Sequence, residues 1–168
     1  MQILSHKNKA EPMPVYKKKE NTVAERLQKQ VANAFNLYMN YKHYHWQTFG
    51  PMSRDLNIIF DEFANEVYST VEILSQRIRM LGQNRVRIRE FSKNSTVKPS
   101  KQSSNVRRML EEADSNALMV ITEMREAIRT TEREDPVTAK ILKGFLKMQE
   151  KHQWWLRHIL DNREGLTN

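Results

Sequence analysis

The chain has 168 residues, with 28 basic and 20 acidic side chains, four glycines, five prolines and no cysteine. The length predicts one domain, and the low glycine content argues against a turn-rich β-sandwich or barrel. The lack of cysteine excludes disulfides, zinc–thiolate sites, iron–sulfur clusters and thiol nucleophiles. No apolar run approaches the roughly 20 residues that a bilayer requires, and none resembles an export signal. We therefore expect a mostly helical protein of the cytoplasm.

The net charge of +8 is concentrated in two segments. Residues 1–21 carry +3 and predict a flexible arm in front of a bundle domain at 22–168, and residues 83–105 carry +5. Because lysine and arginine release counterions from phosphates, the arm is a candidate for sequence-independent DNA binding. A solubilising role is the alternative. The candidate residues are Lys7, Lys9, Lys17, Lys18 and Lys19.

Apolar residues recur at helical spacing in four segments, taken here in chain order. The predicted helices run from about 22 to 49, from 54 to 81, from 105 to the Asp135–Pro136 step, and from that step to about Gly165. Gly50–Pro51 and Gly82 are expected to end the first and second helices. The polar stretch after Gly82 predicts a long connection with one short helix near Arg87–Phe91.

The lengths of the connections predict the topology. Links of about two to four residues make antiparallel hairpins of the first and second helices and of the third and fourth. The middle connection of about 22 residues is long enough, when extended, to span the bundle. We therefore predict an all-α, ferritin-like four-helix bundle with a long crossover between helices two and three.

A polar stripe runs along the second predicted helix at spacings of 4, 4, 3, 4 and 4 residues, through Asn57, Asp61, Asn65, Tyr68, Glu72 and Gln76. Asp61 and Glu72 point the same way but stand about 16 Å apart, so they cannot share one ion within a chain. They would share one if this helix packed antiparallel on its own copy across a two-fold axis. A solvated polar face is the other interpretation, and the spacing alone favours it.

His45 ends the first predicted helix at the edge of its apolar face, and Trp46 follows it. A histidine in such a position is more often a hydrogen-bonded core residue than a metal ligand. The Glu-x-x-His pair that ferritin-type bundles use for an intrachain di-iron site is absent from the sequence. Any metal site is therefore expected between chains.

Several stretches resemble the Dps family of miniature ferritins, and its cyanobacterial members in particular. They are His43–Gly50 (HYHWQTFG), Phe60–Glu62, Ser75–Arg77, Leu81–Gly82, Glu112–Asn116 and Glu150–Leu156. The resemblance covers roughly residues 22–163. It implies a hollow shell of twelve subunits that oxidises ferrous iron, preferably with hydrogen peroxide, and stores the ferric mineral, which protects the cell from oxidative stress.

The resemblance also implies where iron binds, in ferroxidase centres between two-fold-related subunits. By position it assigns His45 and Asp61 to one subunit and Glu72 to its mate, and it places Trp46 beside the site as a radical interceptor. Imidazole and carboxylate ligands suit ferrous iron. The implied activity is that of a ferroxidase.

Two positions depart from the family's pattern. Asn57 stands where a second histidine is usual, and Gln76 stands where a glutamate is usual. Both are neutral, weaker ligands, so the site is expected to bind iron less tightly, as a single ion or with water in the vacant positions. The alternatives are a DNA-condensing shell with a decayed ferroxidase centre, associated with the nucleoid, and a shell that binds zinc, which tolerates fewer ligands.

The family admits iron through acidic pores at three-fold axes. Glu132, Glu134 and Asp135 fall near the corresponding connection and are the pore candidates. Lys140 and Lys143 follow, where an acidic side chain is common in the family. An acidic cluster in front of a helix also has a simpler explanation, since negative side chains stabilise helix N-termini.

Overall fold

The computed structural model describes residues 22–82, 86–101 and 105–161, which contain helices and no strand. In chain order the helices are α1 (Thr22–Gln47), α2 (Ser53–Met80), a 3₁₀ turn (Ile88–Glu90) that continues into the short α3 (Phe91–Asn94), α4 (Val106–Thr131) and α5 (Pro136–Leu160). The four predicted long helices are confirmed as α1, α2, α4 and α5. The short helix predicted within the long connection is also confirmed.

Glycine lies just after the first helix and just after the second, where the sequence predicted that these helices end. Gly50 has a φ angle of +84° in the link between α1 and α2, and Gly82 has a φ angle of +81° just after α2. Glycine adopts this left-handed conformation without the steric cost that a side chain would add. The chain can therefore reverse direction after α1 and leave the bundle axis after α2.

The start of α5 also follows a local signal. The Asp135 carboxylate accepts a hydrogen bond from the backbone N–H of Thr138 at 3.1 Å, and Pro136 occupies the first turn. This arrangement satisfies a backbone donor that the helix itself leaves unpaired. The far end of α5 differs from the prediction, because the helix ends at Leu160. The predicted stop, Gly165, lies outside the described residues.

The core lies between two helical hairpins, with α1 packed on α2 and α4 packed on α5. Aromatic rings from the first hairpin fill its centre: the Tyr41 ring lies 5.6 Å from that of Phe63, and the Tyr44 ring lies 5.2 Å from that of Phe60. All four side chains are buried. Each buried side chain of this size contributes about 1.5–3 kcal/mol of hydrophobic stabilisation.

The crossover lies along α1 and is held there by three asparagine side chains. Asn33 Oδ1 accepts from the Thr96 backbone N–H at 2.9 Å, and Asn36 Nδ2 donates to the Val97 carbonyl at 2.9 Å. Asn40 bonds the crossover twice, donating to the carbonyl of residue 98 and accepting from the N–H of residue 100, both at 2.8 Å. These amides take the place of the backbone partners that an extended segment lacks.

Candidate metal centre

The polar stripe lies on the face of α2 that points away from the core. Asn65, Tyr68, Glu72 and Gln76 are exposed, and Asn57 and Asp61 are partly exposed. Two large apolar side chains share this outer surface, Ile58 and Ile73, which are 48% and 43% exposed. The stripe is therefore open to solvent in the single chain, with isolated apolar side chains beside it.

His45 is held in one tautomer by the backbone of α2. Its Nδ1 lies 2.9 Å from the Asn57 carbonyl oxygen. A carbonyl can only accept, so Nδ1 carries a proton, and in the neutral form of the ring Nε2 keeps its lone pair. Metal-binding histidines are oriented in this way, with the second ring nitrogen bonded to a carbonyl or carboxylate.

Asn57 returns a hydrogen bond to α1. Its Nδ2 donates to the His45 carbonyl at 2.9 Å, so the two residues tie the end of α1 to the first turns of α2. The amide nitrogen of Asn57 is therefore used in the fold. Only its Oδ1 has the chemistry of a metal ligand.

Asp61 forms an ion pair that the sequence interpretation missed. Lys42 Nζ lies 2.6 Å from Asp61 Oδ1, and Asn65 Nδ2 donates to the other carboxylate oxygen at 3.2 Å. The hydrogen bond from Lys42 holds the pKa of Asp61 below its ordinary value, and the nearby His45 acts in the same direction. The carboxylate is therefore ionised at neutral pH, and one of its oxygens is already paired with an ammonium group.

Trp46 stands at the edge of this group with 62% of its surface exposed. The Lys42 ammonium lies 5.9 Å from the centroid of its ring, within the range of a cation–π contact. One lysine thus contacts both an acidic ligand candidate and the indole. The spacing of Lys42, His45 and Trp46 at i, i+3 and i+4 is the signal that would have found it.

Glu72 lies farther along α2 and is paired within its own helix. Gln76 Nε2 donates to Glu72 Oε1 at 2.7 Å. Among the residues that the structure describes, no three histidine or acidic side chains of one chain are grouped as a metal site. One chain therefore brings His45, Asn57 and Asp61 together and leaves Glu72 and Gln76 apart from them.

A second imidazole, His152, is buried inside the bundle. Its ring stacks on Phe63 at 3.9 Å between centroids, and its Nε2 lies 2.7 Å from Glu66 Oε2. Burial lowers the pKa of His152 to about 4, although Glu66 opposes the shift. Lys151 donates to the other Glu66 oxygen at 2.7 Å. This histidine is neutral at neutral pH, and it packs as a core aromatic ring.

The three acidic pore candidates all form ion pairs within the chain. The pairs are Glu132 with Lys143, Glu134 with Arg26 and Asp135 with Arg77. The last pair is largely buried and joins the end of α2 to the start of α5, in addition to the capping role of Asp135. Glu132 and Glu134 are exposed. A pore role for the three residues stays a prediction.

The five lysines of the arm lie outside the described residues. Of residues 22–82, 86–101 and 105–161, no helical stretch combines the length and the apolar character needed to traverse a bilayer.

The chain is similar to proteins of known family in sequence and in structure. A family model described as the ferritin-like domain matches residues 24–166. DNA protection during starvation protein 1 of Deinococcus radiodurans is 30% identical over 148 residues, which cover 86% of this chain and 72% of the relative.

Solved structures share the fold over most of both chains. Dps from Thermosynechococcus elongatus superposes with a TM-score of 0.81 at 34% identity, covering 87% of this chain and 94% of the other. Dps from Staphylococcus aureus gives a TM-score of 0.80 at 27% identity, with 84% and 97% covered. The predicted ferritin-like bundle is confirmed, and the chain belongs to the ferritin-like family and, within it, to the Dps proteins.

Proposed function

We propose that the protein oxidises ferrous iron at sites between two subunits and stores the ferric product inside a hollow dodecamer. In this arrangement two α2 helices pack antiparallel across a two-fold axis. His45 and Asp61 of one subunit and Glu72 of the partner subunit bind the ion, and hydrogen peroxide is the preferred oxidant. Such a protein would work in the cytoplasm and limit oxidative stress.

The orientation of His45 carries this proposal. The hydrogen bond from Nδ1 to the Asn57 carbonyl leaves Nε2 as the nitrogen that the neutral ring can offer to a metal, near the ionised Asp61. A neutral imidazole and a carboxylate form a donor set that suits ferrous iron. The bond that ties α1 to α2 thus uses Nδ1 and leaves the other ring nitrogen for a ligand.

The two-fold packing is supported by the surface of α2. Asp61 and Glu72 are eleven residues apart and lie on one face of α2. A second α2 running in the opposite direction across a two-fold axis would therefore bring Asp61 of one subunit beside Glu72 of the partner subunit. Ile58, Tyr68 and Ile73 are exposed on the same helix. An interface there would remove these large side chains from water.

The neutral residues Asn57 and Gln76 limit what the site can hold. With one imidazole and two carboxylates, the donor set balances the charge of a single divalent ion. Asn57 Oδ1 and Gln76 are supplementary ligands in this proposal, and water completes the coordination. We therefore propose one ferrous ion per site.

Mixing the ferrous-loaded protein with hydrogen peroxide tests the function. The absorbance of ferric iron should rise faster than in protein-free buffer, and this excess should be lost in Asp61→Asn and in Glu72→Gln. Glu62→Gln is the matched control, because Glu62 is an exposed carboxylate of the same helix outside the stripe. Equal rates with and without protein, or unchanged rates in both stripe variants, would reject the proposal.

Co-expression of Asp61→Asn with Glu72→Gln tests the sharing of the site between subunits. A mixed dimer combines both lesions in one site and leaves the other site intact. Random pairing should therefore restore about a quarter of the wild-type rate. A site made within one chain would show no recovery.

DNA binding is the second candidate function. It is supported by the concentration of positive charge in residues 1–21 and 83–105 and by relatives named for DNA protection. Twelve arms would attach multivalently, without sequence preference, and would favour association with the nucleoid. A gel shift that weakens with salt and is lost on deletion of residues 1–21 is expected. A shift that survives the deletion would assign binding elsewhere.

Zinc is a competitor for the same donors, because it binds imidazole and carboxylate and completes four-coordination with water. Adding zinc before ferrous iron should therefore slow the rise of ferric absorbance. The peroxide reaction itself identifies iron as the substrate, since zinc has no redox chemistry.

A further inference from the structure

Four lysines of α5 lie on the side of the helix that faces away from the core. They recur at spacings of three, four and four residues, and all four are exposed: Lys140, Lys143, Lys147 and Lys151. This spacing places them within about 80° around the helix and along about 16 Å of its axis. These four residues, the lysine row, therefore form one continuous basic surface.

Two members of the row are paired with carboxylates of other segments. Lys143 Nζ lies 2.5 Å from Glu132 Oε1, and Lys151 Nζ lies 2.7 Å from Glu66 Oε1 on α2. Both pairs are open to water, which weakens the attraction between their charges. An anion that reaches these lysines therefore competes with the carboxylates on similar terms.

The other two members of the row have unbalanced charges. Lys140 and Lys147 form no ion pair within the part of the chain that the structure describes. Glu150, the one acidic residue of α5, is paired with Arg125 of α4 at 2.7 Å. The helix carries five basic side chains against that single carboxylate, so its outer face attracts anions.

The row lies beside the helix that carries the proposed iron site, but on a different face. Contacts join α1 to α2, α2 to α5, α5 to α4 and α4 to α1, so α2 and α5 form one side of the bundle. On α2, Asp61 and Tyr68 of the polar stripe contact α1, whereas Glu66 on the other flank contacts α5. Two α2 helices that pack through the stripe therefore leave the lysine row uncovered.

The chemistry of the ligand follows from this charge and from the product of the proposed function, on which the inference rests. Lysine ammonium groups bind phosphate oxygens as compact point charges. Phosphate also carries the charge that ferric ion requires, because the two ions attract each other strongly. A phosphate held on α5 is therefore close to the surface on which the ferric product is released.

We propose that the lysine row binds inorganic phosphate and delivers it to the ferric product, so that the stored mineral is a ferric phosphate. In this step one ferric ion and one dihydrogen phosphate ion give ferric phosphate and two protons, and no oxidation state changes. Lys140 and Lys147 hold the incoming phosphate because their charges are unpaired. Lys143, which lies between them, supplies a third donor.

Chemical labelling of the iron-free, full-length protein tests the phosphate site without any oxidation. Lysines are acetylated with acetic anhydride with and without inorganic phosphate, at an ionic strength held equal with chloride, and each position is quantified by mass spectrometry. Phosphate should slow the labelling of Lys140 and Lys147 by at least about twofold, the protection expected once its concentration reaches the Kd.

Two exposed lysines of the crossover, Lys93 and Lys101, are the internal control for this experiment. Their labelling rates should not change when phosphate replaces chloride. Equal protection of all four positions would mean that phosphate only screens the charge of the protein. That result, or no protection of Lys140 and Lys147, would overturn the inference.

The composition of the mineral tests the second step. Iron is loaded with peroxide in a buffer that contains phosphate, free ions are removed by gel filtration, and phosphorus and iron are measured in the protein fraction. Lys140→Gln together with Lys147→Gln should lower the ratio of phosphorus to iron by about twofold or more, because fewer charges concentrate the anion. Both substitutions leave the ion pairs of α5 intact.

Lys93→Gln together with Lys101→Gln is the matched control, since it removes the same charge from the crossover. This pair should leave the ratio of phosphorus to iron unchanged. An equal ratio in the wild type and in the α5 pair would overturn the inference. So would an equal fall in both pairs, which would assign the effect to net charge.

Duplex DNA offers the same phosphate chemistry and is the alternative occupant of the row. The α5 pair should shift duplex DNA in a gel as the wild type does. A gel shift that is weakened by the substitutions at Lys140 and Lys147, and kept by the crossover pair, would assign the row to DNA and overturn the inference.

The two proposals fail in different ways. If the wild type shows no protein-dependent ferric absorbance in phosphate-free buffer, the proposed function is wrong, and the labelling experiment still tests the phosphate site because it needs no iron. If that absorbance is present and phosphate does not protect Lys140 and Lys147, only the phosphate assignment is wrong.

Discussion

Two histidines of this protein each lie near a carboxylate, yet the bundle uses them differently. His152 is wholly buried, stacks on Phe63 and bonds Glu66 through Nε2. His45 is partly exposed at the end of α1 and bonds a backbone carbonyl through Nδ1. The first imidazole bonds the fold through Nε2, and the second bonds it through Nδ1.

The two rings differ in burial and in the nitrogen through which the fold binds them. Burial depresses the pKa of His152 to about 4. Both neighbouring carboxylates are held by a lysine, Glu66 by Lys151 and Asp61 by Lys42. At His45 the backbone sets the tautomer, and the neighbouring carboxylate is Asp61, on an exposed helical face. Residue type is the same in both places. The hydrogen-bonded ring nitrogen and the depth of burial make the difference.

Removing each imidazole should separate the two roles most clearly. His152→Ala should lower the free energy of unfolding by about 3 kcal/mol, because it leaves a cavity against Phe63 and removes a buried partner of Glu66. His45→Ala should cost about 1 kcal/mol and abolish protein-dependent ferroxidation. Urea unfolding and the peroxide assay measure the two effects. Equal losses of stability would remove the distinction.

The stability of the fold should fall in mild acid because of His152. Its pKa is about 4 in the folded chain and about 6.5 in the unfolded chain, so the unfolded state binds the extra proton between these values. The contribution of the neutral ring to the free energy of unfolding is therefore complete above pH 6.5. It decreases by roughly 3 kcal/mol as the pH falls to 4. His152→Gln should flatten this dependence in urea unfolding measured across that range. An unchanged slope in the variant would contradict the assignment.

Restoring the family's usual ligands should increase the affinity of the His45 site for ferrous iron. Asn57→His together with Gln76→Glu adds an imidazole and a negative charge, and it should tighten ferrous binding by about tenfold or more, equivalent to about 1.4 kcal/mol. Anaerobic ferrous titration measures the change. Asp55→Asn with Glu62→Gln, away from the stripe, is the control pair. Unchanged binding in the restored variant would place the metal elsewhere.

Removing the competing ammonium should have the smallest effect. Lys42→Met frees the Asp61 carboxylate and should raise both its pKa and the ferrous affinity. The gain should stay within about fivefold, because an exposed ion pair is worth less than about 1 kcal/mol. Lys29→Met, which breaks an ion pair with Glu123 on the other side of α1, is the control. Weaker iron binding in Lys42→Met would show that Lys42 supports the site.

Local patterns were sufficient to predict the helices and their order. Apolar periodicity marked the buried faces, and Gly50, Gly82 and Pro136 marked the ends because their backbone preferences act locally. The asparagines of α1 that hold the crossover were not predicted. In a helical sequence they resemble ordinary polar residues, and their partners are about 60 positions away.

The candidate site was predictable only in part for the same reason. The spacing on α2 and the position of His45 indicated which residues to consider. The tautomer of His45 and the contact between Lys42 and Asp61 depend on how α1 and α2 pack. Whether Glu72 joins them depends on a second chain, which no pattern within one sequence describes.

Crystals grown without iron and soaked anaerobically with ferrous salt would test the central claim most directly. Anomalous diffraction at the iron edge should show one peak between His45 Nε2, Asp61 and Glu72 of the partner subunit. Occupied iron elsewhere with none at this position, or α2 helices that do not meet their own copies, would contradict the account.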